Sequence, residues 1–394
     1  METKAAGPGA FARFDLTRVP SPCFVVDEVA VRRNLAMLKA VGDGSGAKVL
    51  LALKAFSMWS LAGVVGEYLD GVCASGLWEA RLAREFYSGH LTTYSPAYKR
   101  EDLPAILRIS DSVIFNTPDQ IVRFADLIAA ARAAGDVFDI GLRLNPEHSE
   151  AEVAKYDPCQ RGSRLGFPVS QLRPEHLQGV DGLHIHTLCE QDFEPLRRVW
   201  ASVEPRLEGL LGQLKWLNLG GGHHVTRADY QTADLIAFLA GIGQRHGLQV
   251  YIEPGEAIAL DAGILVGEIL DTFDNSVPVA ITDISATCHM PDVIEAPYRP
   301  AMLGEVDVEG GGGVTMRIGG PSCLAGDIIG DYGFATRPVP GQRIAFLDQA
   351  HYSMVKTNTF NGVPLPAIAL WNSDSDALQM VREFDYAEFR DRLS

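Results

Sequence analysis

The chain is short of several things at once, and each shortage removes a class of protein. Basic residues are outnumbered, 34 Lys and Arg against 50 Asp and Glu, for a formal net charge of -16. Nucleic acid and anionic membrane both attract basic surfaces, so neither is expected as a partner. The six cysteines, Cys23, Cys73, Cys159, Cys189, Cys288 and Cys323, form no CxxC pair. In a chain of 394 residues that predicts reduced thiols in a cytoplasmic protein rather than a disulfide framework. No run approaches transmembrane length, and Met1 to Phe14 lacks the apolar core of a signal sequence. No GxGxxG follows the first strand-like run, which argues against a dinucleotide-binding open sheet. Internal repeats and low-complexity linkers are missing too.

What is present can bury a large core. Hydrophobic residues make up 47% of the chain, and its length suggests about two domains. An opening strand at Phe24–Val26 and a helix near Val29–Ala40 are followed by extended segments near 49–54, 71–74, 92–95 and 112–116. Four more are expected near 139–145, 180–187, 215–219 and 249–253. Between them lie helix signals. Thr117-Pro118-Asp119 opens the run Ile121–Ala134, and Leu235, Phe238, Leu239 and Ile242 share one face of Asp229–Arg245. Strand and helix alternating about eight times predict a (β/α)8 TIM-type barrel over residues 24–260. Beyond residue 261 the texture turns to β-type runs, Val277–Ile281, Val314–Ile318 and Arg343–Leu347, with Glu309–Gly313 as a hairpin loop. Residues 1–23 and 261–394 are therefore expected to form a β-rich domain with a helical tail.

Function in such a barrel sits at the carboxyl ends of the strands. Lys54 closes the apolar run Val49–Leu53, where burial depresses the pKa of an ammonium and leaves a nucleophilic amine suited to a Schiff base. A strand-end lysine that snorkels into water is the plain alternative. Arg143, His184, His186, the Gly220-Gly221-Gly222 loop and Glu253 fall at other strand ends. A glycine loop before a helix can offer backbone N–H groups to a phosphate, or simply make a tight turn. Glu253 could keep a pyridine nitrogen protonated, and His186 could stack on its ring. His184 and His186 share a strand face, so a metal-binding HxH is the rival reading. In the β-domain, Gly320-Pro321-Ser322-Cys323-Leu324-Ala325-Gly326-Asp327 sets a thiol near a carboxylate, and Cys323 could donate a proton.

Together these residues resemble the fold-type III pyridoxal phosphate (PLP)-dependent decarboxylases of ornithine, diaminopimelate and arginine, related in fold to alanine racemase. Within them the chain is most similar to the carboxynorspermidine/carboxyspermidine branch. The resemblance runs from Ser21-Pro22-Cys23-Phe24 to Thr359-Phe360-Asn361-Gly362. Its most specific pieces are Ala52–Ala55, His186-Thr187-Leu188-Cys189-Glu190, Glu253-Pro254-Gly255-Glu256 and Gly320–Cys323. It implies that Lys54 carries PLP, His186 stacks on it and Glu253 contacts its ring nitrogen. Gly221, Gly222 and Tyr352 would hold its phosphate, and Arg143 joins the cofactor set. Cys323 and Asp327 would enter the partner's active site in a homodimer, with Arg164 pairing with that aspartate across the interface.

Two departures point to the substrate. The family's ornithine and diaminopimelate members typically show His-x-Gly-Ser and Glu-Pro-Gly-Arg, where this chain has His186–Cys189 and Glu253–Glu256. Glu256 removes a cation and adds an anion, which suits a cationic carboxylated polyamine better than diaminopimelate. The expected reaction is decarboxylation of carboxynorspermidine or carboxyspermidine, with Glu190, Glu256 and Asp327 as candidates for the distal ammonium groups. The alternatives are a diaminopimelate or other amino-acid decarboxylase, a racemase, a metal-dependent hydrolase using His184 and His186, and a non-catalytic barrel. A racemase of this fold would place an arginine, not Glu253, at the pyridine nitrogen.

Overall fold

The computed structural model describes residues 6–151, 153–308 and 311–394, and the chain divides into two compact units. One comprises Arg33–Ile258; the other joins the residues up to Arg32 with Ala259–Ser394.

Arg33–Ile258 forms a closed parallel barrel. Its eight strands are Lys48–Ala52, Gly71–Ala74, His90–Tyr94, Ser112–Phe115, Asp139–Asn145, Gly182–His184, Trp216–Asn218 and Gln249–Ile252. Each pairs with the next, and the last closes on the first through Tyr251 opposite Lys48 and Ile252 opposite Val49. All eight coincide with the expected segments. They are legible because parallel strands buried on both faces read as short continuous apolar runs. Trp216 fills the space between neighbouring strands: a Cβ at Gly182 would collide with its indole, and one at Gly141 would come within 2.6 Å of it. Its Nε1–H donates to Asp139 at 3.1 Å.

Helices follow most strands. The Thr117 hydroxyl accepts from the Gln120 N–H to open Pro118–Arg123, which breaks at Phe124 and resumes as Ala125–Ala133. Thr232–His246 buries Leu235, Leu239 and Ile242 and ends at Gly247, whose φ of 67° is the left-handed cap glycine supplies freely. The alternation fails once. Between the fifth and sixth strands the described residues form no α-helix, only the short 3-10 turns Ala154–Tyr156, Val169–Gln171 and Pro174–Leu177 and a two-residue strand, Phe167–Pro168, beside the fifth. Pro146, Pro158, Pro168 and Pro174 interrupt that stretch and deny a helix its backbone donors.

The other unit is built on one sheet. Cys23–Asp27 lies antiparallel to Gly263–Asn275 and parallel to Ala367–Asn372. The opening strand, expected within 24–260, thus pairs outside the barrel. Its five residues are all buried, and burial on both faces cannot tell one sheet from another. The 13-residue strand Gly263–Asn275 also pairs with Arg343–Leu347 and Val277–Thr282. Val314–Gly319, Ile328–Phe334 and Ala377–Arg382 complete the sheet. Phe11, Phe14 and Trp371 anchor its core beside Val25, Ile264 and Val266. Tyr386–Arg390 is the helical tail. Glu309 and Gly310 of the expected hairpin loop lie outside the described residues. No described helix is long and apolar enough to cross a membrane.

Candidate active site

The barrel brings its strand-end residues to one mouth. The first strand ends at Ala52 and a turn carries Lys54, whose Nζ is 3.3 Å from His186 Nε2. The Gly221 N–H donates to His186 Nδ1 at 2.9 Å. A neutral imidazole accepting at Nδ1 keeps its proton on Nε2. That tautomer turns Nε2–H toward the Lys54 amine. The electrostatics agree. Burial, then the charges of Lys54 and Arg143, push His186 well below its ordinary pKa. The Lys54 side chain opens to solvent, yet the strand ends ringing Nζ desolvate the ammonium and lower its pKa. Arg143 adds to that depression, while Cys73 and Glu253 oppose it.

Glu253 follows the eighth strand and is the anion of the site. Burial alone would raise its carboxyl, but His184, the Asn218 amide and Lys54 hold it down at about 2. Asn218 Nδ2–H donates to Oε1 at 2.7 Å, and His184 Nε2 lies 3.3 Å from Oε2. Burial depresses the His184 pKa, so it serves Glu253 as a neutral N–H donor. Asn218 also accepts from the Gly220 N–H at 2.8 Å, joining the carboxylate to the glycine loop.

That loop is glycine for reasons of space. A Cβ at Gly220 would come within 2.6 Å of His186, one at Gly221 would collide with the Glu253 carbonyl, and one at Gly222 with the Leu188 carbonyl. Gly220 and Gly222 also take φ of 68° and 87°, which L side chains avoid. The helix expected directly after it does not start until Thr232. Arg143, buried, donates to the His186 carbonyl at 2.9 Å and stands over the Tyr94 ring at 4.6 Å. Glu190 sits on the loop after the sixth strand with φ of 52°. Glu256 begins the short helix Glu256–Ala259, its Oε2 lying 3.3 Å from His224 Nε2.

The HxH reading fails on geometry. The His184 and His186 rings stack parallel, 3° apart in plane and 6.2 Å between centroids, so they do not converge on one ion. Among the described residues no group of three or more His, Cys, Asp or Glu could hold a metal.

The sheet unit holds the remaining candidates. Cys323 is exposed, and its N–H donates to Asn361 Oδ1 at 3.0 Å. Tyr352 begins the helix Tyr352–Val355. Asp327, only 3% exposed, accepts from the Ser285 hydroxyl (2.8 Å), the Ser322 N–H (3.2 Å) and the Thr287 N–H (3.3 Å). These donors tie it to the loop that carries Cys323. Sequence reasoning passed over Asn218, Tyr94 and Asn361, as well as the pairing of His224. Asn218 was within reach, because it ends the strand before the glycine loop, a strand already identified.

No family model matches the chain. Known proteins do. The chain is 37% identical over 382 residues to the carboxynorspermidine/carboxyspermidine decarboxylase of Campylobacter jejuni, covering 94% of this chain and 98% of that one. It is 38% identical over 380 residues to the carboxyaminopropylagmatine decarboxylase of Synechocystis, covering 96% of each. The crystal structure of the Campylobacter jejuni carboxynorspermidine decarboxylase complexed with norspermidine superposes with a TM-score of 0.85 at 36% identity. That likeness covers 95% of this chain and 100% of that one. Diaminopimelate decarboxylase from Helicobacter pylori, with a TM-score of 0.81 at 16% identity, shares the fold.

Proposed function

The chain belongs to the carboxynorspermidine/carboxyspermidine decarboxylase branch of the fold-type III decarboxylases, and from that premise we propose that it is a PLP-dependent decarboxylase of a carboxylated polyamine. Carboxynorspermidine or carboxyspermidine would give norspermidine or spermidine and CO2. The observation that carries the reading is the coupled set Lys54, His186 and Glu253: an amine whose pKa burial lowers, an imidazole 3.3 Å from it and a carboxylate held at about 2.

The barrel mouth fits PLP. The residues that would hold it are Lys54 at the aldehyde, His186 against the ring and Glu253 at the ring nitrogen. Gly221, Gly222 and Tyr352 would take the phosphate, with Arg143 near by. The buried Arg143 Nε and His184 Nδ1 lack hydrogen-bond partners, polar capacity that suits a bound polar group. When bound, PLP supplies a carbonyl that captures the substrate's α-amine and a ring that accepts the electron pair left by CO2.

The chain's own residues do the rest. Lys54, its pKa lowered by burial, gives up its proton more readily than a free lysine, which suits attack on a carbonyl and exchange for the substrate's amine. Glu253, ionised throughout the physiological range, holds a proton at the pyridine nitrogen. Asn218 and His184 keep that carboxylate aimed by donating to it from the protein side. Cys323, brought by a second copy of the chain, is the proposed donor of the proton that replaces CO2 at the α-carbon. Glu190, Glu256 and Asp327 are the proposed partners of the distal ammonium groups.

The test is product analysis of PLP-loaded protein with carboxynorspermidine, carboxyspermidine, carboxyaminopropylagmatine and meso-diaminopimelate in parallel. Norspermidine or spermidine is expected, with diaminopimelate untouched. Lysine as the main product would overturn the polyamine reading, and decarboxylation of carboxyaminopropylagmatine alone would move the substrate to the guanidinium-ended homologue.

A further inference from the structure

Glu256 creates an electrostatic problem beside the glycine loop. The loop is wedged against Glu253 and Pro254, just ahead of Glu256 in the chain, which brings that carboxylate into question beside a bound phosphate. Two anions side by side in a partly buried site repel.

His224 stands where a remedy is needed. It lies two residues past Gly222, is only 2% exposed, and presents Nε2 to Glu256 Oε2 at 3.3 Å. Neither of its ring nitrogens completes a hydrogen bond within the protein, an uncommon state for a buried polar group. Its neighbour His223 differs, for its Nδ1 is matched by the Tyr230 hydroxyl at 2.7 Å. The backbone around His224 is fixed: its N–H donates to the Gln191 carbonyl at 3.0 Å. The Thr226 hydroxyl donates to the Ala257 carbonyl at 2.7 Å, tying this segment to the helix that Glu256 begins.

We propose that His224, oriented by Glu256, completes the anion cradle of the Gly220–Gly222 loop and binds the cofactor's phosphate. Its two ring nitrogens would then serve two acceptors, Glu256 on one side and phosphate on the other. Glu256 then acts through His224. The inference rests on the PLP reading above and deepens it.

The test titrates the full chain, freed of cofactor, with PLP and with pyridoxal, the same aldehyde without phosphate. Binding is read by absorbance. Losing a charge-assisted hydrogen bond predicts that His224→Ala weakens PLP roughly 10- to 100-fold, with pyridoxal unchanged. His224→Gln, which keeps a donor, is expected to lose less, and Glu256→Gln to fall between wild type and His224→Ala. Equal losses for both aldehydes, or PLP binding unchanged in His224→Ala and His224→Gln, would overturn the assignment while leaving the PLP reading intact. Should wild-type protein bind neither aldehyde, both readings fall together. If His224→Ala does not fold, the Gln variants decide by the same ratio.

Discussion

Lys54 and Glu253 owe their chemistry to one another's surroundings. Burial lowers the lysine's pKa, while the carboxylate keeps its charge because Asn218 and His184 donate to it. Lys54→Ala is expected to abolish decarboxylation and covalent retention of PLP, measured by product formation and visible absorbance on the same sample. An active Lys54→Ala protein would sink the mechanism. Glu253→Gln keeps the shape but loses the charge that holds a proton at the ring nitrogen. Its kcat is expected to fall about 10²-fold or more, on the scale of losing a placed acid or base, with PLP still bound. Lys54 and Glu253 were legible in the sequence because a lone charge ending an apolar strand stands out. The hydrogen bonds of Asp327 were not legible, because its donors Ser285 and Thr287 are some forty residues away and nothing in Gly320–Asp327 announces them.

Among the elements, the barrel strands show where packing leaves no room. Gly182 opens the sixth strand against the Trp216 ring, and Gly182→Ala should force that indole to move. Overpacking of this kind costs about 1–3 kcal/mol, to be read as a lower urea midpoint; a midpoint equal to wild type would show that the ring yields freely. All eight barrel strands could be read from the chain, since most are short apolar runs set off by helix signals. The stretch from 146 to 181 could not be assigned a helix, because its prolines break the helical period without supplying another.

At the scale of the molecule, buried histidines govern the acid limb of stability. Burial lowers His184 and His186, and takes His223 and His289 to about 4 from the ordinary 6.5. A histidine kept neutral in the fold binds its proton more readily when unfolded. Stability is therefore full above about pH 6.5, and the share due to His223 and His289 is lost progressively down to about pH 4. Glu253 adds a further loss as pH falls from 4.5 to about 2. Urea midpoints falling between pH 7 and pH 5 would bear this out, and a flat profile there would contradict it. If Cys323 serves the site of a second copy, mixing inactive Lys54→Ala and Cys323→Ala proteins should restore about a quarter of wild-type activity in randomly reassorted dimers. No recovery after exchange of subunits would argue that each chain is catalytically self-contained.

The sequence by itself determined the barrel, the β-rich remainder and the residues at the strand ends, because periodic burial and isolated charges are local signals. Tertiary structure alone decided which of those residues meet. It set His186 on the Gly221 N–H and thereby fixed a tautomer, gave Glu253 its Asn218 donor, tied Asp327 to its own loop and paired Glu256 with His224. It also moved the opening strand into the other sheet. Each of these is a contact between segments far apart in the chain, where side-chain type is known beforehand but distance and direction are not.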